Sequence, residues 1–487
     1  TGNNSNNGSS GSPWRTIAHA LSQVAANSGC AILLSAGEFV EANILTVPDG
    51  VSLIGEGPSS TTVKINHYFS LTDAVSNANP HVHTFPEHFV IQLGGEDQII
   101  SGFRLDGQNK TCHGGVIAEY ANHLIVENLR VENFRFSGIW VIDADNTEIR
   151  NNYLKNNTYG NPAGSGDGGG DSGSFVYHRG YGLLVHGNTI IEEGNLEFDK
   201  GGYPIKGQNR TYGGDSKPLE ESRFFNNVLQ APQGGAWENG MAPAITLEGL
   251  TVTMKNVRIH NNWVNNHISL PTGTQGWGVR IDHNVIDMGR ARYAYGIEHA
   301  LSNVEIDHNY FYGGIYPIAN WGGDRSNHSI HHNIFHGACA DWMDGREMIL
   351  YSGHITNLKF YNNTIIDNEG IGEIFALNGG STNADVRNNV FYRVSGSRDN
   401  FGDTPNGTVS NNHFHNISTR GSSNTTGDPG ITLSGSAPLS PPFYTLNGGS
   451  PLIDGGVVIA PYTDGYAGSA PDKGAIEQGS PFFAGVP

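Results

Sequence analysis

Two glutamates stand out for chemistry: Glu248 closes the apolar stretch Ala244-Ile-Thr-Leu-Glu248, and Glu298 closes Tyr295-Gly-Ile-Glu298. A pair of carboxyl groups is what acid-assisted cleavage of a glycosidic bond needs. One, protonated, helps the leaving oxygen depart; the other, ionised, acts on water or on the sugar. Similar stretches carry Asp143, Arg179, Lys206 and His267, with Tyr203 ahead of Lys206 and His299 beside Glu298. Lys206 and Asp143 join the glutamates as candidate catalytic groups. Arg179, Tyr203, His267 and His299 are candidate substrate-binding groups, and Trp237 and Trp277 are candidate platforms for a pyranose face. A competing chemistry is β-elimination from a uronic acid, with Lys206, Arg179, Tyr203 or His267 as base and a cation on the substrate carboxylate. Asp167 and Asp171, in Asp-Gly-Gly-Gly-Asp, or Asp143 and Asp145, offer the oxygen ligands that suit Ca²⁺. The hydrolytic chemistry requires no cofactor.

A repeat positions these residues. Apolar-x-apolar-x-Asn-apolar recurs from Ile125-Val-Glu-Asn128 to Val409-Ser-Asn-Asn412, with key asparagines 22 to 39 residues apart. The base period is about 24 residues, which reads as a solenoid. Alternating apolar residues in short runs are strands. Asparagine between them tolerates a left-handed bend, and stacked asparagines can hydrogen-bond in a ladder. Three short strands per turn give a right-handed parallel β-helix. The expected organisation is one domain over residues 1–487: a cap and first coils in 1–60, regular coils in 90–420 and a closing segment in 421–487. The histidines at the bend (His260, His283, His308, His331, His332) read as turn and stacking residues.

These features resemble the pectate-lyase-like superfamily of right-handed parallel β-helix, carbohydrate-active proteins. Ser12-Pro-Trp-Arg-Thr-Ile-Ala-His-Ala-Leu21 resembles its N-terminal capping helix. Val51-Ser-Leu-Ile-Gly-Glu-Gly57 resembles its first coils, and Asp472-Lys-Gly-Ala-Ile-Glu477 the closing segment of many secreted members. The resemblance implies a substrate groove on one parallel sheet and a polysaccharide substrate. The Asn-Thr-Asp, Asp-Asp, Gly-His-Gly and Arg-Ile-Lys motifs of polygalacturonases are missing, as are the Trp-Ile-Asp-His and Arg-x-Pro-x-x-Arg patterns of pectate lyases. Site residues therefore follow from register and not from the resemblance.

Three long intervals carry insertions at Thr158–Gly173, Gly207–Glu221 and Ala231–Pro243. Functional residues concentrate on such loops, so the expected cleft is walled by them. Adjacent strands lie roughly 4.8 Å apart, so glutamates two coils apart have backbones roughly 10 Å apart. That is near the about 6.5–9.5 Å separation of an inverting hydrolase. The reading is a glycoside hydrolase, with a polysaccharide lyase, possibly Ca²⁺-dependent, as the alternative. A non-catalytic glycan-binding β-helix is the second alternative, for which the clustered insertions speak less well.

Composition sets the outer limits. The chain has 487 residues, 27 Lys+Arg against 46 Asp+Glu, and a net charge of −19, which disfavours nucleic acid or an anionic membrane as partner. No apolar run approaches the roughly 18 residues of a membrane span. The three cysteines form no disulfide framework. A chain opening Thr1-Gly-Asn-Asn fits a processed, secreted protein.

Overall fold

The structure, a computed structural model, describes residues 2–66, 89–108, 114–158, 173–178, 180–193, 202–208, 219–231, 243–248, 254–270, 276–289, 295–337, 348–367, 373–397, 399, 401–433 and 444–480. The side chains of Gln208, Glu248, Met348 and Asp367 fall outside this description. Two compact units result: residues 1–238 with 242–248, and residues 239–241 with 249–487.

In the first unit, each turn of chain supplies one strand to each of three parallel sheets. One sheet runs from Ala31–Leu34 to Arg223–Phe225, the second from Gly37–Glu41 to Val228–Gln230, the third from Leu45–Val47 to Ile245–Glu248. Strands pair with their counterparts one coil on, as Val126 does with Ile149. The second unit repeats the scheme. Its first sheet runs from Arg258–His260 to Gly407–Ser410 and its second from Trp263–Asn265 to Thr425–Thr426. Its third comprises Ile268–Leu270, Tyr295–His299, Tyr316–Asn320, Met348–Ser352 and Glu373–Leu377. This is the expected right-handed parallel β-helix, the hand that parallel crossovers take. Inward residues form rows of like side chains: Ile259, Ile281, Ile306 and Ile330 are all fully buried.

The N-terminal helix is shorter than the sequence suggests, Ile17–Ser22. Thr16 caps it, accepting from the His19 amide at 3.2 Å, and the buried Glu41 carboxylate accepts from the Ile17 amide at 2.7 Å. Those two acceptors satisfy amides that a helix start leaves unpaired. At the other end Ile431–Leu433 and Tyr444–Leu446 form an antiparallel pair, and Asp472 accepts at its carbonyl from Asn362 Nδ2 at 3.0 Å.

The asparagine ladder is present, with its labour divided between neighbours. The left-handed residue is the one before the ladder asparagine: Asn151, Asn226, Asn261, His283, His308, His332, Asn362, Asn388 and Asn411 have φ between 46° and 59°. Asn128 also takes this turn position (φ 50°), so the residue beside it, Leu129, ends the ladder. Its amide donates to Asn152 Oδ1 at 3.0 Å. In the first unit the ladder runs Asn152, Asn188, Asn227. In the second it runs from Asn262 through Asn284, Asn309, Asn333, Asn363 and Asn389 to Asn412.

A second stack in the first unit substitutes a carboxyl for an amide. Asn157 donates from Nδ2 to the Val131 carbonyl at 2.9 Å, as Asn152 does to Val126. Its own amide then donates to Glu192 Oε1 at 2.9 Å, and Thr158 Oγ1 donates to Glu192 Oε2 at 2.7 Å. Burial pushes the Glu192 carboxyl up to about 7, against the pull of these donors and of Ser174. A carboxyl raised on folding binds its proton more tightly in the native state. Its stabilisation is complete below about 4.5 and is lost as pH rises through about 7. A shift of this size corresponds to the order of 3 kcal/mol. Glu192→Gln should therefore flatten the decline in stability between pH 5 and 8, measured as urea midpoints across that range. An unchanged pH slope would rule the mechanism out.

Candidate active site

The third sheet of the second unit brings together the chemistry that the sequence scatters. Ile268, Ile297, Ile318, Leu350 and Phe375 are in register and fully buried, so they mark the inward row. The next residue on each strand faces the opposite way, which places Ser269, Glu298, Ala319, Tyr351 and Ala376 in one outward row. Glu298 is thus flanked by a hydroxyl on one side and a small residue on the other. Ser269 Oγ donates to Glu298 Oε2 at 2.7 Å, and His267 Nε2 lies 3.8 Å from the same oxygen. Burial pushes the His267 imidazolium down to about 3, so the ring is neutral at ordinary pH and a weak base. The Glu298 side chain keeps 22% exposure against 5% for His267, so the carboxylate is the reachable member.

Beside the carboxylate stands an aromatic wall. Tyr295 and Tyr316 are in register and stack at 5.5 Å. Tyr316 meets Tyr351 at 5.4 Å. Trp321 leans on Tyr295, Tyr316 and Tyr351 at 5.7, 6.2 and 4.7 Å and is 44% exposed. Gly296 makes this possible. A Cβ there would lie 2.5 Å from the Pro317 carbonyl oxygen and 2.8 Å from the Phe311 ring. Glycine lets residue 296 turn toward the core, and Tyr295 stays on the side of Glu298. Ala319, in the row between Glu298 and Tyr351, is fully buried and packs in one cluster with Tyr316, Tyr295 and Tyr351. Trp321 is fixed from behind: its amide donates to the His299 carbonyl at 3.0 Å, and Gly322 donates to Asn320 Oδ1 at 3.0 Å.

A protein-family model described as "Protein of unknown function (DUF1565)" matches residues 1–307, more than half of the chain. The chain belongs to the DUF1565 family. The DUF1565 match includes Ser269, Tyr295 and Glu298, while Tyr316, Trp321 and Tyr351 lie beyond it. No curated protein matches the chain. Among solved structures it is similar to ORF18 of Geobacillus virus E2 (14% identity, 74% of this chain and 59% of that one, TM-score 0.41). It is similar to a variant of the PL6 family alginate lyase AlyGC (12% identity, 86% and 53%, TM-score 0.46) and to the pectate lyase Pel9A (15% identity, 98% and 94%, TM-score 0.32). The chain spans 53% to 63% of the length of the first structures it matches. The fold itself rests on the strand pairing.

Against this geometry the sequence-derived residues of the DUF1565 chain divide. Glu298 and His267 meet in the second unit. Glu248 ends the strand Ile245–Glu248 of the first unit, with its side chain outside the description. Within the first unit it is in register with Gln208, and both Ile245 and Leu247 of its strand are buried. The sequence pattern shows which side a residue faces but not how far along the strand it sits.

Other expected positions also shift. His299 falls in the inward row with Leu270 and Asn320 and is fully buried, which corrects its reading as a substrate contact. Strand alternation turns it away from Glu298. Lys206 is fully buried in the first unit, its Nζ 4.5 Å from the centre of the Tyr203 ring. Tyr203 is 8% exposed, and the same row holds the buried Trp140 and Val176. An open cleft floor is therefore not found at Lys206. Asp143 is a turn residue with φ 49° and 7% exposure. Trp277 is 56% exposed but belongs to a separate pairing, Gly276–Trp277 with Met254–Lys255. Arg179, Trp237, Asp167 and Asp171 lie outside the described residues, as do most of the three insertions. Sequence reasoning missed the platform of Tyr295, Tyr316 and Tyr351. Its signal was the recurrence of tyrosine two residues before the inward isoleucine, in Tyr295-Gly-Ile and Tyr316-Pro-Ile.

Proposed function

We propose that the protein cleaves a polysaccharide laid across the outer face of this third sheet, with Glu298 transferring the proton as the glycosidic bond breaks. One observation carries the reading: a reachable carboxylate, oriented by Ser269 at 2.7 Å, stands at the foot of a four-ring aromatic wall. Aromatic rings give a sugar ring an apolar face to lie on, and a carboxyl beside that face can serve as general acid or base. Hydrolysis is the first reading, because a carboxyl is the usual proton donor to a leaving sugar oxygen.

β-Elimination is the second reading, and Tyr351 favours it. Asn378 Nδ2 donates to the Tyr351 hydroxyl at 3.0 Å, a bond that orients the oxygen a tyrosine base would use. His267, neutral and weakly basic, does not suit that role.

The test is digestion of neutral and uronic-acid polysaccharides, following reducing ends and ultraviolet absorbance together. Reducing ends without absorbance establish hydrolysis. Reducing ends with rising absorbance mean an unsaturated product and move the chemistry to Tyr351. No reducing ends from any polysaccharide would leave a glycan-binding protein. On a cleaved substrate, Trp321→Ala should raise KM about 3- to 10-fold at little change in kcat, since one ring of a stacking wall contributes about 1 kcal/mol. A fall in kcat alone would show that Trp321 does not hold the substrate.

A further inference from the structure

The bend of the second unit's coils carries chemistry that the Glu298 site does not use. His283, His308 and His332 occupy consecutive left-handed turn positions, with φ 55°, 53° and 52°. Their rings stack nearly parallel, His283 on His308 at 4.8 Å and His308 on His332 at 4.9 Å. Partners fix all three tautomers alike. His283 Nδ1 lies 2.7 Å from Asp282 Oδ2, and His308 Nδ1 lies 2.8 Å from Asp307 Oδ2. Arg258 and Arg280 grip those carboxylates from the other side, so both are acceptors and each Nδ1 carries the proton. His331 turns Nε2 to the Glu305 carboxylate at 3.1 Å, leaving its Nδ1 to accept from His332 Nδ1 at 3.0 Å. Every ring of the stack therefore turns Nε2 away from its Nδ1 partner, and none of these three atoms has a hydrogen bond to a described residue.

The three rings line one side of a pocket of about 400 Å³. The closing segment lines the other, with Tyr462, Asp464, Tyr466 and Glu477. Among the described residues no lysine or arginine lines it. The pocket thus offers acceptors, carboxylates and a tyrosine face (Tyr466 is 37% exposed), an unfavourable setting for an anion. A single metal ion does not fit either. At about 2.1 Å from each of two imidazole nitrogens, it would hold them no more than about 4.2 Å apart with converging lone pairs. These rings lie 4° from parallel, with centroids 4.8 Å apart, and both turn Nδ1 to the preceding aspartate, so their Nε2 lone pairs run side by side and do not converge. Asp307, the one carboxylate close to both His283 and His308, is already engaged by Arg280 and His308. What remains is a ligand with regularly spaced hydroxyl donors.

We propose that this pocket is a second, non-catalytic binding site for a neutral oligosaccharide. Successive hydroxyls donate to the Nε2 atoms of the histidine stack, and a sugar face lies on Tyr466. The site stands independently of the Glu298 reading.

The experiment is calorimetric titration of the full chain with cellohexaose, xylohexaose and mannohexaose, with hexagalacturonate and zinc chloride as controls. The variant is His283→Asn with His308→Asn. Asparagine fills the same turn position at Asn261 and Asn362, with φ 56° and 46°, so the bend tolerates it. At least one neutral hexasaccharide should bind, and the double variant should bind it about tenfold or more weakly, the loss of two modest hydrogen bonds. Glu298→Gln should leave this binding intact, which separates failure here from failure at the active site. The proposal is overturned by silence from all three neutral probes, by binding of hexagalacturonate only, by affinity unchanged in the double variant, or by zinc binding that the same substitutions abolish.

Discussion

Glu298→Gln should lower kcat on the cleaved polysaccharide by about 10²- to 10⁴-fold with KM little changed, the usual loss when a general acid or base is removed. The substitution is nearly isosteric. The Ser269 hydroxyl, which reaches Glu298 Oε2 at 2.7 Å, can donate to the amide oxygen as it does to the carboxylate. The neighbouring His267 is buried and neutral, so its side chain carries no charge that the substitution would leave uncompensated. The fold should be untouched, and loss of rate would then report proton transfer alone. The companion variant Ser269→Ala should cost far less, since it removes one positioning bond and not the proton carrier. A Glu298→Gln enzyme that retains more than about a tenth of its activity would sink the assignment, because a residual rate that high leaves no room for acid–base catalysis. Steady-state kinetics with thermal denaturation as a folding control suffice to decide.

Asn309→Ala should destabilise the second unit by roughly 3–5 kcal/mol. Asn309 is fully buried. Its Oδ1 accepts from the Asn284 amide at 3.0 Å and from Asn284 Nδ2 at 3.0 Å. Its Nδ2 donates to the Ile281 carbonyl at 2.8 Å and to Asn333 Oδ1 at 3.1 Å. Alanine leaves a backbone amide and a carbonyl buried without partners, and each orphan costs about 1–3 kcal/mol. Water is not at hand to replace them in so tight a stack. Because each coil of a solenoid contacts only its neighbours, the loss should also weaken cooperativity. Urea unfolding should show a lower midpoint and a broadened or split transition. The contrast is Asn303→Gly, at a left-handed position (φ 57°) that glycine tolerates, where a ladder on the exposed surface (Asn327 Nδ2 donates to Asn303 Oδ1 at 2.7 Å) lets water substitute; that change should stay within about 1 kcal/mol. Equal effects at Asn303 and Asn309 would refute burial as the source.

Much of the fold was legible before any coordinates. Alternating apolar residues at a coil spacing of about 24 gave strands. Asparagine at a constant place gave the bend, and the two together left a parallel β-helix as the consistent architecture. The reason is local: strand alternation and left-handed turns are properties of a few adjacent residues. Even here one detail needed the structure. The left-handed backbone belongs to Asn151, His283 or His308, and the ladder hydrogen bonds to the next residue in the chain.

The candidate site was legible in part. Alternation puts Glu298 and His267 on one face, and their side chains lie 3.8 Å apart. Position along the strand was not legible: Glu248 ends the strand Ile245–Glu248, whereas His299 follows Glu298 within its own. Nor was burial of the outer row: Lys206 alternates outward from Ile205 yet keeps no exposed surface. The platform escaped because Tyr295 faces Glu298's side only through the inward turn at Gly296, which depends on the proximity of Pro317 and Phe311. Those are contacts from later coils, invisible in the spacing of a single one. By itself the sequence determined the coil, its bends and the side each residue faces, because those follow from neighbouring residues and their handedness. Only the tertiary structure decided which outward residues meet, which are covered and which aromatic rings stand beside Glu298, because stacking one coil on another sets those distances.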